Sequence, residues 1–204
     1  MTEKLADAIK QLREQKKRNF SQTFDFIVKL NAIDLKKPEN KINEEFKLPY
    51  GWGMDSKVGI FSDTAGNAGA TVISSAEIEG FGKDKRTAKR LVKEIDFFLA
   101  EARLMPLVGK ILGQLLAPRG RMPKVVTSDA SGTVENLKKS IRIRIKDSPV
   151  IQCKIGKEDM KDEEIVENVK AVAKYLETRL PKGKANIGKI YLKLTMGEPV
   201  EVEV

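Results

Sequence analysis

Histidine is absent from this chain of 204 residues, and cysteine occurs once, at position 153. Without histidine, the Ser-His-Asp and Cys-His routes to an activated nucleophile, histidine-containing zinc sites and the commonest general base near neutral pH are excluded. A lone cysteine excludes an intramolecular disulfide. Cys153 stands in the alternating run Val150-Ile151-Gln152-Cys153-Lys154-Ile155, with no cationic cluster or helix start to lower its thiol pKa, the setting of a buried strand thiol rather than a nucleophile. No run reaches the apolar length a bilayer needs, and the opening Met1-Thr2-Glu3-Lys4-Leu5-Ala6-Asp7 has no apolar targeting region, so the expectation is a cytoplasmic protein without a membrane partner. No P-loop occurs, and Gly66 and Gly69 do not complete a dinucleotide fingerprint; they suit a tight strand-to-helix passage. Carboxylates such as Asp84, Asp162 and Glu164 have no partner base. The expectation is no catalytic residue, no metal and no cofactor.

What is present is a globular composition, 41% hydrophobic and 33% charged, with a net charge of +9. That length accommodates one large core or two small ones. Leu5, Ala8, Ile9 and Leu12 recur at helical spacing, and residues 23 to 30 then alternate, with Phe24, Phe26, Val28 and Leu30 on one face and Thr23, Asp25, Ile27 and Lys29 on the other. Pro38, Pro49 and Gly51-Trp52-Gly53 bound an extended stretch at residues 45 to 48. From Lys57 the pattern changes to short apolar runs at residues 58–61, 71–73, 97–99 and 125–126, which predict buried strands. Helical windows at 83–93, 107–116 and 133–140 accompany them, the pattern of an open α/β sheet. Alternation returns at Ile141, Ile143 and Ile145 and at residues 150–155. A helix capped at Asp162 then carries Ile165, Val169, Val172, Ala173, Leu176 and Leu180 on one stripe up to Pro181. Ile190, Leu192, Leu194 and Met196 alternate again, followed by Val200, Val202 and Val204. Each chain end alone is small for an independent core. The expected architecture is therefore α/β and α+β, with residues 1–52 and 141–204 forming a discontinuous domain around an inserted α/β domain, 53–140.

Charge divided along that boundary leaves both parts basic, with 24 cations against 19 carboxylates in the flanking segments and 14 against 10 in the insert. Such an excess suits phosphate backbones. Lys16, Lys17 and Arg18 precede Phe20 and the polar strand face with Thr23, Asp25 and Lys29, so cations, an aromatic ring and hydrogen-bonding groups stand together. A frayed helix end beside a core phenylalanine would read the same way. Ala117-Pro118-Arg119-Gly120-Arg121-Met122-Pro123-Lys124 is a basic loop braced by two prolines, and Thr195-Met196-Gly197 ends a strand with a hydroxyl, a flexible thioether and a glycine. One alternative is an α/β enzyme holding a phosphorylated small molecule at Arg119 and Arg121. Another is a general single-strand binder, for which 12 aromatic residues, many in core phase, are few.

Read together, these residues resemble the ribosomal protein L-one family, the stalk proteins of the large subunit, in the archaeal form. The segment running from Gly109-Lys110-Ile111-Leu112-Gly113 to Pro118-Arg119-Gly120-Arg121-Met122-Pro123 is similar to the family signature. Arg18-Asn19-Phe20-Ser21-Gln22-Thr23-Phe24-Asp25 and Thr195-Met196-Gly197 match two further hallmarks. Gln114 and Glu198 depart from the prolines the family commonly carries there. The resemblance implies a two-layer α/β RNA-binding domain, with an inserted Rossmann-like domain swinging on a two-strand hinge. It further implies a non-enzymatic constituent of the large ribosomal subunit, monomeric when free. Such a protein binds large-subunit rRNA at the mobile stalk, assists release of deacylated tRNA from the exit site, and represses translation of its own mRNA. The RNA-contacting residues it implies are Lys17, Arg18, Phe20, Thr23, Asp25, Lys29, Thr195, Met196 and Gly197, with Arg119, Gly120, Arg121 and Met122 as secondary RNA or hinge contacts.

Overall fold

The computed structural model describes residues 2–16, 18–37, 40–63, 69–126, 130–145 and 147–203; the readings made on Lys17, Pro38, Gly66 and Val204 lie outside the described residues. By their contacts the described elements form two compact units, residues 1–54 with 139–204 and residues 55–138.

In the first unit both chain ends enter one antiparallel sheet of order β10-β9-β1-β8, built from β1 (Thr23–Leu30), β8 (Val150–Lys157), β9 (Ile187–Leu194) and β10 (Val200–Val202). The period of two in β1 buries Phe24, Phe26, Val28 and Leu30 and turns Thr23, Asp25, Ile27 and Lys29 to the other face. Two amphipathic helices supply the opposing layer: α1 (Thr2–Glu14) through Leu5, Ile9 and Leu12, and α6 (Asp162–Arg179) through Ile165, Val169, Val172 and Leu176, all fully buried. Each such side chain contributes about 1.5–3 kcal/mol on leaving water. A polar residue also falls within the α6 stripe. Asn168, fully buried, donates to Gly51 O at 2.7 Å and Ile155 O at 2.8 Å and accepts from the Tyr50 N–H at 3.3 Å, tying a turn and a strand to the helix. The cap lies one residue before the expected one, so the helix itself begins at Asp162. Lys161 holds the N-cap position, its backbone N–H bonded to Glu164 Oε2 at 3.3 Å, and Asp162 lies inside the first turn, where its charge suits the helix dipole. A separate two-stranded sheet pairs β2 (Asn43–Lys47) with β7 (Ser140–Arg144).

The second unit is a parallel sheet of order β4-β3-β5-β6, formed by β3 (Val58–Phe61), β4 (Thr71–Ile73), β5 (Phe97–Glu101) and β6 (Lys124–Val126). Alternate residues of its central strands serve two cores. Phe61, Phe98 and Ala100 pack with α2 (Ser75–Lys83), α3 (Lys85–Glu94) and α4 (Met105–Leu116), whereas Ile60, Phe97 and Leu99 pack with α5 (Ala130–Lys138). The second unit departs from the sequence pattern in four places. Only β3 and β5 are buried strands; β4 and β6 are edges, and Val125 is 53% exposed. The window at 83–93 is the second of two helices, since the chain folds as α2 from Ser75, with Ser74 and Glu77 forming a reciprocal cap, and Asp84 then starts α3. The window at 133–140 is α5, which ends at Lys138, and Ser140 already belongs to β7. Gly69, with φ at +69°, leads into a strand rather than a helix.

Candidate nucleic-acid interface

The end of β1 and the end of β9 meet at Thr23 and Thr195. The Thr195 N–H donates to Thr23 O at 3.1 Å, its hydroxyl donates to the same carbonyl at 3.2 Å, and its Oγ1 accepts the Thr23 N–H at 3.1 Å. The hydroxyl therefore joins two strand ends. Beyond this joint the ladder stops: Met196 leaves the alternation of β9 and is 59% exposed, while the Gly197 N–H closes a turn on Leu194 O at 2.9 Å. Phe20 is 52% exposed, so it is a surface ring and not a core residue.

Side chains that the sequence reading did not single out hold this turn. Gln22, buried within the loop ahead of β1, accepts the Met196 N–H through Oε1 at 3.1 Å, and its own N–H donates to Glu158 Oε2 at 3.1 Å. Gln15, at the end of α1, accepts the Glu198 N–H at 2.9 Å and donates to Glu198 O at 3.3 Å. The Ser21 hydroxyl donates to Asp159 Oδ2 at 2.6 Å. Arg13 fastens the helix to the same region, donating to Glu158 O and to Met160 O and pairing with Asp162 at 2.8 Å, with its guanidinium 5.6 Å from the Phe24 ring centre. Gln22 lies inside a motif legible in the sequence, but Gln15 carried no signal because its partner is distant in the chain. Gln15, Lys16, Arg18, Gln22, Met196, Gly197 and Glu198 line an open groove of about 240 Å³.

Along the same sheet face Asp25 sits in register between Lys154 and Lys193. Partial burial raises its carboxyl pKa above the ordinary value, against the opposing pull of Lys193. Arg18, Phe20, Thr23, Asp25, Thr195, Met196 and Gly197 belong to this end of the sheet. Lys29 is apart: six residues along β1 from Thr23, at about 3.3 Å each, it lies roughly 20 Å away. Cys153, on the buried side of β8, is the buried strand thiol the alternation implies, and burial and the nearby Asp25 push its thiol up to about 12.

A model described as the Ribosomal protein L1p/L10e family matches residues 12–198. The chain belongs to this family. It is 44% identical to the large ribosomal subunit protein uL1 of Methanocaldococcus jannaschii, over 98% of this chain and 95% of that protein. Identity to the proteins of the same name in Methanobrevibacter smithii and Pyrococcus horikoshii is 42%, over 99% and 98% of this chain and 100% and 96% of theirs. The L1p/L10e family is one of ribosomal proteins and not of enzymes. Among the described residues no helix is long and apolar enough to cross a membrane.

The geometry of the signature loop in this L1p/L10e member also weakens the phosphate-enzyme alternative. Arg121 donates to the backbone carbonyls of Val92, at 2.7 Å, and of Ile95, and lies 3.7 Å from Asp96, so its guanidinium closes the C-terminal end of α3. Arg119 and Met122 are exposed, and Gly120 takes φ at +65° in the turn between α4 and β6.

Proposed function

We propose that this protein is a structural constituent of the large ribosomal subunit that binds large-subunit rRNA at the mobile stalk through the joint of β1 and β9. The observation that supports this reading is the pair of exposed apolar side chains, Phe20 and Met196, beside a strand joint held by the buried Gln22. Beside the groove lined by Lys16, Arg18, Gln22 and Met196, such side chains can exclude water from an RNA partner while the cations meet its phosphates. Asp25 belongs in this surface as an acceptor for a sugar 2′-hydroxyl or a base amino group, because phosphate would repel it. Membership of a ribosomal family supports assignment of the RNA, and the same surface would serve a similar fold in the protein's own mRNA. Assistance to release of tRNA from the exit site follows from a place on the stalk in the cytoplasmic ribosome.

The test is titration of Phe20→Ala and Met196→Ala with a stalk rRNA fragment. Each is expected to lose about 1–3 kcal/mol of binding, with unchanged melting because neither side chain is in the core. Met196→Ala is the cleaner probe, since Thr195→Ala would also break the strand joint. Wild-type affinity in both variants, or equal affinity of the native protein for the folded fragment and a random single strand near physiological salt, would overturn the assignment.

A further inference from the structure

The positive charge of the second unit is concentrated at the end of α2 and along α3. Residues 83–93 carry six cations, Lys83, Lys85, Arg86, Lys89, Arg90 and Lys93, against the single carboxylate Asp84. The remainder of residues 55–138 holds 7 cations against 9 carboxylates, so without this segment the unit would be acidic. All six side chains are exposed, and among the described residues none of them forms an ion pair; only the field of Arg90 reaches Asp84.

Helix stability does not account for this arrangement. Lys85 and Arg86 occupy the first turn, where the dipole disfavours positive charge and no acidic residue is present. Lys85 with Lys89, Arg86 with Arg90, and Lys89 with Lys93 are like-charged pairs at i,i+4, which repel. A local conflict of this kind without an internal gain is characteristic of a functional surface. The helix is nevertheless held in place at both ends. Asp84 Oδ1 accepts the Arg86 and Thr87 N–H groups at 2.9 and 3.3 Å, Arg121 closes the far end, and Ala88 and Val92 are buried beneath. Cations four residues apart on such a helix stand about 6 Å apart along its axis, a fixed row of charges.

We propose that the exposed face of α3 is a second RNA contact, docking on the phosphate backbone of an RNA duplex without reading its sequence. Charge complementarity selects a polyanion. The absence of any exposed large apolar side chain among residues 83–93 argues against insertion into a lipid surface, since the apolar face of α3 lies in the core. The choice of RNA over an acidic protein rests on the ribosomal reading above.

The experiment uses the full-length protein and a labelled RNA duplex of arbitrary sequence, about 20 base pairs long, titrated between about 0.05 and 0.2 M salt. A variant combining Lys85→Gln, Arg86→Gln, Lys89→Gln and Arg90→Gln is expected to lose about tenfold or more in duplex affinity and to flatten the slope of log affinity against log salt by about 3. Lys85→Gln with Lys89→Gln, expected to give about half the change in slope, serves if the fourfold variant melts early. Wild-type affinity and slope in these variants overturn the proposal. So does tighter binding of the native protein to phosphatidylserine vesicles or to polyglutamate than to the duplex at equal salt. Failure of the stalk reading is separate, since it would show as unchanged binding of folded stalk RNA by Phe20→Ala and Met196→Ala.

Discussion

At the residue scale, the proposed RNA surface is built on small polar groups that are already engaged within the protein. Gly197 shows how little space is left: a Cβ there would overlap Gln15 Oε1 and lie 3.2 Å from Leu194 Cβ. Gly197→Ala must therefore displace Gln15 from both of its bonds to the Glu198 backbone, at a cost of about 1 kcal/mol in stability. Because the displaced turn carries Met196, the loss in RNA affinity is expected to exceed the loss in stability; denaturant midpoints alongside RNA titrations check this, and equal losses would contradict it. Cys153 gives a second prediction. With its thiol buried and its pKa pushed up to about 12, it is expected to react with a thiol reagent at mildly alkaline pH only when the sheet opens. Labelling should then follow the denaturation curve, and rapid labelling of the native protein would contradict the burial. Thr195 and Cys153 were named from the sequence, but not the partner of the Thr195 hydroxyl, because Thr23 lies 172 residues away.

At the scale of elements, caps and buried amides determine where helices start and what they hold. Asp84 separates α2 from α3 and accepts from Thr87 Oγ1 at 2.5 Å as well as from two backbone N–H groups. These bonds, the Thr87 hydroxyl first, hold its carboxyl below the ordinary aspartate range. A lowered pKa in the folded state means that the charged form stabilises α3 above the unfolded pKa of about 4, and that this contribution disappears as pH falls through the folded value. Asp84→Ala is expected to melt lower than the native protein at neutral pH, with the gap closing progressively below about pH 4. A gap that stays constant through acid would show that the carboxylate charge is irrelevant. In α6, Asn168→Ala leaves Gly51 O and Ile155 O without their donor, and the expected cost is about 2–4 kcal/mol in denaturant unfolding. A loss below about 1 kcal/mol would mean that water replaces the amide. The apolar stripe of α6 is legible in the sequence, but the role of Asn168 is not, because periodicity reports only what is apolar.

At the scale of the whole molecule, each unit has its own core, and the strands flanking the insert are paired with each other. Lys47 lies opposite Ser140, and the Leu48 N–H donates to Lys139 O at 3.2 Å. We therefore propose that the first unit folds alone. Residues 1–54 joined to 139–204 by a short linker are expected to unfold cooperatively and to retain most of the affinity for folded stalk RNA, because the β1–β9 joint lies wholly within that unit. Loss of cooperative melting, or loss of most of the affinity in a folded protein, would contradict this division. The comparison also tests the α3 surface, since the shortened protein lacks it and should bind an arbitrary duplex with a flatter salt dependence.

The sequence by itself determined the periodic features: the faces of β1 and β9, the stripes of α1 and α6, the change at Lys57 from alternation to short apolar runs, and the exclusion of histidine chemistry. Each of these depends on neighbours within a few residues, where hydrophobic spacing carries the signal. Long-range packing, by contrast, leaves Phe20 exposed, places Met196 past the end of its strand and sets Arg121 over the end of α3. Those outcomes depend on pairings between distant segments and on backbone groups that any residue can supply, for which local composition holds no record.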